Sequence, residues 1–196
     1  AQFMVKNKIR KSLFEQGHHL SKEFILNSNK TIQLKALDIL DISNIENVLL
    51  YSPFRKEIEL NIILKELIKT KKNIYLPKVL SDKHMGFNLL EKTSYMKKNI
   101  YGINESDSDK YLNVYGFDLM IIPFVGVDLN GLRLGYGSGY FDRILENIDS
   151  FNKRPLLVGL GYEFQVSKEV YGEMHDLKYD IVITEDDIHR YRKSIK

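Results

Sequence analysis

The sequence predicts an α/β fold, with a mixed, largely parallel central sheet covered by helices on both faces. Three observations carry that expectation. Short apolar runs recur at Val48 to Tyr51, Asn73 to Lys78, Leu119 to Ile122, Pro155 to Leu160 and Tyr179 to Thr184. Between several of them, apolar residues return at three- and four-residue spacing, as in β-α-β units. The run Arg133 to Arg143, RLGYGSGYFDR, follows an apolar run and leads into Phe141, Ile144, Leu145 and Ile148 at helical spacing, which reads as strand, glycine loop, helix.

Taken in order, Val5, Ile9 and Leu13 form the apolar stripe of a helix from Val5 to about Gln16. Lys6 and Arg10 lie four apart beside it, which by default is a solvated flank. Ser21 is placed to cap a second helix carrying Phe24, Ile25, Ile32, Leu34, Leu37 and Leu40, interrupted near Asn27 to Asn29. The strand Val48 to Tyr51 runs into Ser52-Pro53. Ile58, Ile62, Ile63, Leu67 and Ile68 then mark an amphipathic helix, with Glu57 near its start against the helix dipole, a contact worth under ~1 kcal/mol. Asn73 to Lys78 reads as the second strand of a β-α-β unit, with Pro77-Lys78 at its ligand-binding end. His84 to Leu90 is extended, with Met85 and Phe87 alternating; His84 itself is an ordinary turn or surface histidine. Glu105 to Lys110 is a solvated loop. His175-Asp176 forms a turn before the last strand, Tyr179 to Thr184.

Composition narrows the function. The chain has 196 residues, 43% hydrophobic and 28% charged, with a formal charge of +3. One globular domain over 4–196 is the simplest organisation. Ala1, Gln2 and Phe3, ahead of Met4, read as an expression-tag remnant. The mild charge suits small anionic ligands, and without a long basic stripe or RNA-binding motif no nucleic-acid partner is expected. Cysteine is absent, which excludes disulfides, thiol catalysis and zinc–thiolate sites and fits a cytoplasmic protein. The longest charge-free apolar run, Leu119 to Val127, falls far short of the ~20 residues that span a bilayer, so no membrane partner is expected.

The glycine loop holds the chemistry. Gly135, Gly137 and Gly139 let the backbone turn tightly and approach a ligand, and a loop entering a helix directs N–H groups at an anion. It is neither the Walker nor the dinucleotide pattern, so the loop alone is equally a turn that binds nothing. Arg133 and Asp142 flank it, however. An arginine holds phosphate and a carboxylate holds Mg²⁺, which points to a metal–nucleotide site.

The run Pro123 to Arg143, PFVGVDLNGLRLGYGSGYFDR, resembles the 5-formyltetrahydrofolate cyclo-ligase family. Asp128, Gly131, Arg133, Leu134, Gly135, Gly137, Gly139, Tyr140 and Asp142 match its pattern. Phe124 stands for a usual glycine, Val127 for an aromatic and Phe141 for a second tyrosine; Ser138 stands where glycine or lysine is frequent. Further matches are Lys6-Asn-Lys-Ile-Arg10, Tyr51 to Glu59 with Leu60 in place of threonine, Tyr101 to Glu105, Gly161 to Gln165, and Asp176. The resemblance implies a three-layer α/β/α enzyme. It would use ATP and Mg²⁺ to cyclise 5-formyltetrahydrofolate to 5,10-methenyltetrahydrofolate, releasing ADP and phosphate. By the same resemblance, ATP falls to Lys6, Arg10, Arg133, Leu134, Gly135, Tyr136, Gly137, Ser138, Gly139, Tyr140 and Phe141. The metal falls to Asp142 and Asp176, and folate to Ser52, Glu57, Lys78, Met85, Tyr136, Gly137 and Tyr140. Arg133 and Asp142 are the expected catalytic pair, and a monomer is expected. The chief alternative is a nucleotide-binding regulatory module without turnover. A sugar-phosphate isomerase would have no use for the Lys6/Arg10 pair or the two aspartates.

Overall fold

The computed structural model describes residues 1–81, 83–91 and 108–192; the segment Tyr101 to Glu105 lies outside them. Its centre is a seven-stranded sheet. The strands are β1 (Asn47–Leu49), β2 (Asn73–Ser81), β3 (His84–Leu89), β4 (Leu119–Ile121), β7 (Leu156–Leu160), β8 (Ile181–Ile183) and β9 (Ile188–Arg190), and their order is β3-β2-β1-β4-β7-β8-β9. The inner five run parallel, while β3 and β9 pair antiparallel at the two edges. A separate small hairpin joins β5 (Gly126–Val127) to β6 (Arg133–Leu134).

Strand alternation divides the core in two. Val48, Leu50, Ile74, Leu119, Ile121, Val158, Leu160, Ile181 and Ile183 face one side. There they meet Ile32 and Ala36 of α2 (Lys22–Ile39) and Ile63 and Leu67 of α3 (Asn61–Lys69). The residues between them, Leu49, Met120, Ile122, Leu157 and Val182, face the other side with Phe87, Phe117, Leu145 and Tyr179. A strand buried on both faces reads as a continuous apolar run, which is how these strands appear in the sequence. Among the described residues the second face is covered by short pieces: the helix Tyr140–Ile144, two 3₁₀ turns and the small hairpin.

Several expectations need correction. Helix α1 runs from Gln2 to His18, starting three residues before the expected Val5, and the Gln2 amide donates to the Tyr171 carbonyl. Helix α2 is not interrupted at Asn27 to Asn29. Ser21 caps it as expected, through Phe24 N. Buried Asn29 finds partners outside the helix: it donates to the Tyr162 hydroxyl at 3.0 Å and accepts from Glu59 N at 2.7 Å. Helix α3 starts only at Asn61, so Glu57 lies in the preceding loop and receives a hydrogen bond from Phe54 N, not the helix dipole. Tyr179 to Thr184 is not the last strand, because β9 returns antiparallel beside it. Phe87 of β3 is 1% exposed and packs edge-on against Phe117.

Candidate functional site

Strand order reverses between β1 and β4: the chain proceeds from β1 outward to β2, and from β4 through β7 to β8 in the other direction. Such a switch point opens a crevice beyond the carboxyl ends of the strands. Two adjoining cavities lie among the loops leaving these strands.

The glycine loop forms the wall of the first cavity, of about 520 Å³. Its lining includes Lys6, Arg10, Met85, Arg133, every residue from Leu134 to Asp142, and Asp176. All expected ATP and metal residues therefore converge here, drawn from α1, β6, the loop, the short helix and the turn before β8. Gly137 and Gly139 hold φ of +108° and +73°, which an L-side chain adopts only under strain. The helix that follows, Tyr140–Ile144, spans five residues, so its dipole contributes little. Side chains supply the positive field.

Arg133 is 8% exposed and pairs with no carboxylate among the described residues. It is oriented by donating Nε to the Pro123 carbonyl at 2.6 Å and by lying 5.1 Å from the Phe141 ring centroid. A buried cation of this kind, in no ion pair among the described residues, is a built seat for an anion. Arg10 donates to the Gly135 carbonyl at 2.7 Å, fixing α1 over the loop.

Lys6 lies apart from that loop contact. Its Nζ is 2.7 Å from both Glu173 Oε2 and Asp176 Oδ2. Burial opposes its charge, but the hydrogen bonds to the two carboxylates more than offset this and raise its pKa. Lys6 thus sits on an expected metal ligand. Oxygen atoms of Glu173 and Asp176 and a ring nitrogen of His175 lie within 4.8 Å of one another. Asp142 lines the same cavity and accepts a hydrogen bond from Leu177 N at 2.9 Å, which ties it to the residue after Asp176. Two or three carboxylates beside a cation-lined cavity are donors that fit Mg²⁺.

The second cavity, of about 500 Å³, is lined by Glu57, Phe14, Phe124, Tyr162, Phe164 and Gln165, among others. Burial pushes the Glu57 carboxyl up to about 7, against the opposing pull of the Phe54 N–H and Arg133. Tyr136 lines both cavities. Phe124 packs its ring against Gly161 and Gly159, where a Cβ would fall 2.3 Å and 2.9 Å from it. An aromatic ring fits at this position because the facing strand end has no side chains.

Not every expected residue comes to the site. Ser52 lines a different hollow with Leu50, Pro53 and Asn61. Lys78 lies within β2 opposite Gly86 and lines neither cavity. Met85 faces the glycine loop, not Glu57. Asp128 is a scaffold: fully buried, it accepts from the backbone N–H groups of Asn130, Leu132, Tyr171 and Gly172, at 2.9 to 3.2 Å. The structure also adds Phe3, Pro123, Arg143, Glu173 and His175 to the first cavity. Arg143 and Glu173 were within reach of a reader seeking charges next to the glycine loop and Asp176; Phe3 carried no signal.

Proteins similar to this chain match it over nearly its whole length. A mouse 5-formyltetrahydrofolate cyclo-ligase is 28% identical over 193 residues, covering 92% of this chain and 94% of its own. The enzyme of that name from Haemophilus influenzae is 29% identical over 181 residues, covering 90% and 92%. The solved structure of Aquifex aeolicus 5,10-methenyltetrahydrofolate synthetase superposes with a TM-score of 0.80 at 26% identity, covering 98% of this chain and 95% of that one. Residues 2–185 match the family as a whole, and the chain belongs to the 5-formyltetrahydrofolate cyclo-ligase family.

Proposed function

We propose that this protein is a 5-formyltetrahydrofolate cyclo-ligase that couples ATP cleavage to closure of the methenyl bridge. The cyclo-ligase activity rests on family membership; the route below is our reading of the site. One observation carries it: Tyr136 belongs to both cavities, so the cation-rich glycine-loop space and the space holding Glu57 meet at one side chain. Two substrates seated in them would have their reacting ends together, which is most of what phosphoryl transfer requires of a protein.

In this reading the Glu57 carboxylate accepts from the 2-amino and ring N–H edge of the pterin. Arg133, Arg10 and the loop amides from Gly135 to Gly139 hold the triphosphate, with Lys6 shared between it and Asp176. Asp142 and Asp176 would hold Mg²⁺, which when bound neutralises phosphate charge. The formyl oxygen attacks the γ-phosphorus and ADP leaves. N10 then adds to the formyl carbon and loses its proton. The C–O bond breaks, phosphate carries away the former formyl oxygen, and the N5–C–N10 amidinium remains. Arg133 stabilises the charge of the transferring group, and Tyr140 packs beside the folate.

The fate of that oxygen tests the route. Substrate labelled with ¹⁸O in the formyl group is expected to give one ¹⁸O in each phosphate released, read by mass spectrometry. Unlabelled phosphate would sink the phosphorylation step while leaving the ring closure standing.

A further inference from the structure

The cavity that holds Glu57 brings together an acid, aromatic rings and cations. Among the described residues lining it, Glu57 is the sole carboxylate. Phe14 and Tyr136 line it with their rings stacked, centroids 5.8 Å apart, and Phe54, beside the lining, meets Tyr136 edge-on at 5.9 Å. Arg55, Lys56 and His18, all exposed, line it as well. An acid, rings and cations in one cavity form the complement of a molecule with an N–H-rich head, an aromatic middle and an anionic tail.

Arg55 is the most organised of these cations. Its guanidinium carbon lies 5.1 Å from the Phe14 ring centroid, 5.2 Å from that of Phe54 and 5.7 Å from that of Tyr136. Stacking on rings removes rotamer freedom without using the N–H donors. It pairs with no carboxylate among the described residues. Its backbone φ is +54°, a left-handed conformation that a non-glycine residue adopts under strain and that persists where the surroundings fix it. Lys56, by contrast, lays its stem toward Gly17, where a Cβ would sit 3.7 Å from Lys56 Cγ.

We infer that Arg55 is the specificity-determining residue for the glutamyl end of the folate, its fork receiving a tail carboxylate while the p-aminobenzoyl ring lies among Phe14, Tyr136 and Phe54. This rests on the cyclo-ligase reading and adds to it a discrimination that the glycine loop and Glu57 do not provide. Folate is then read at both ends: an acid for the head, an arginine for the tail.

The test compares 5-formyltetrahydrofolate with 5-formyltetrahydropteroyl methylamide, which keeps the pterin, the ring and the amide but has no carboxylate. Dissociation constants are measured by calorimetry and turnover is followed in parallel. The wild-type protein is expected to prefer the glutamate-bearing compound about tenfold, a charge-assisted contact at an exposed site. Arg55→Met, which keeps the stem over the rings, is expected to bring that ratio close to one, and Arg55→Lys to restore part of it. A ratio in Arg55→Met equal to the wild-type value would overturn the assignment, as would equal weakening of both compounds, which a merely structural role produces. Weakened ATP binding with folate discrimination intact would move Arg55 to the nucleotide and overturn it too. Wild-type turnover of both compounds without discrimination sinks this inference alone. Turnover of neither sinks the cyclo-ligase reading and this one together.

Discussion

Glu57 and Arg133 place an acid and a cation in adjoining cavities. A carboxyl pushed to about 7 is ionised only in part at neutral pH. A pterin held by Glu57 as proposed would couple folate binding to proton release. Affinity for 5-formyltetrahydrofolate should tighten from pH 6 to pH 8 and then level off; Glu57→Gln should weaken it at least tenfold and flatten the dependence, as calorimetry would show. The same shift bears on stability. Between the unfolded value near 4.5 and the folded value near 7, the folded state holds a proton that the unfolded state has released. Stability is thus full below that window and falls by about 1.4 kcal/mol per pH unit as pH rises through it, levelling above pH 7. Denaturant midpoints of wild type and Glu57→Gln should converge toward low pH; parallel curves from pH 5 to 8 would contradict the buried carboxyl.

At the scale of elements, α1 acts as a strap over the glycine loop and the turn before β8. The Arg10 bond to Gly135 and the Lys6 pairs to Glu173 and Asp176 hold it there, with side-chain exposures of only 10% for Lys6 and 5% for Asp176. Removing Lys6 leaves a buried carboxylate without its cation, a cost of about 2 kcal/mol once the more exposed Glu173 is allowed for. Lys6→Ala should speed amide exchange across residues 2–17 about tenfold while leaving exchange in β4 and β7 unchanged; unchanged α1 protection would show that apolar packing alone seats it. Some of this was legible. The β-α-β order, the Ser21 cap and the glycine loop have local signatures that sequence carries directly. The small hairpin β5–β6 does not, since two-residue strands have no period to detect. The uninterrupted α2 was hidden for the opposite reason: Asn29 satisfies its amide with Tyr162 and Glu59, partners remote in sequence. Likewise the Lys6 ion pairs join residues about 170 positions apart, and helical spacing could only describe Lys6 as a flank.

At the scale of the molecule, a parallel sheet with a reversal between β1 and β4 brings seven segments of chain to one edge. The site was legible as a set because its members match a family pattern; their division into two cavities meeting at Tyr136 is a property of the fold alone. No described helix is long and apolar enough to cross a membrane. The most direct test mixes the purified protein with 5-formyltetrahydrofolate, ATP and Mg²⁺ and follows the absorbance of the methenyl product, with ATP or Mg²⁺ omitted as controls. The account predicts product formation only when both are present, with one ADP formed for each methenyl bridge. Product formed at the same rate without ATP, or no product from folded protein that binds both substrates, would contradict it.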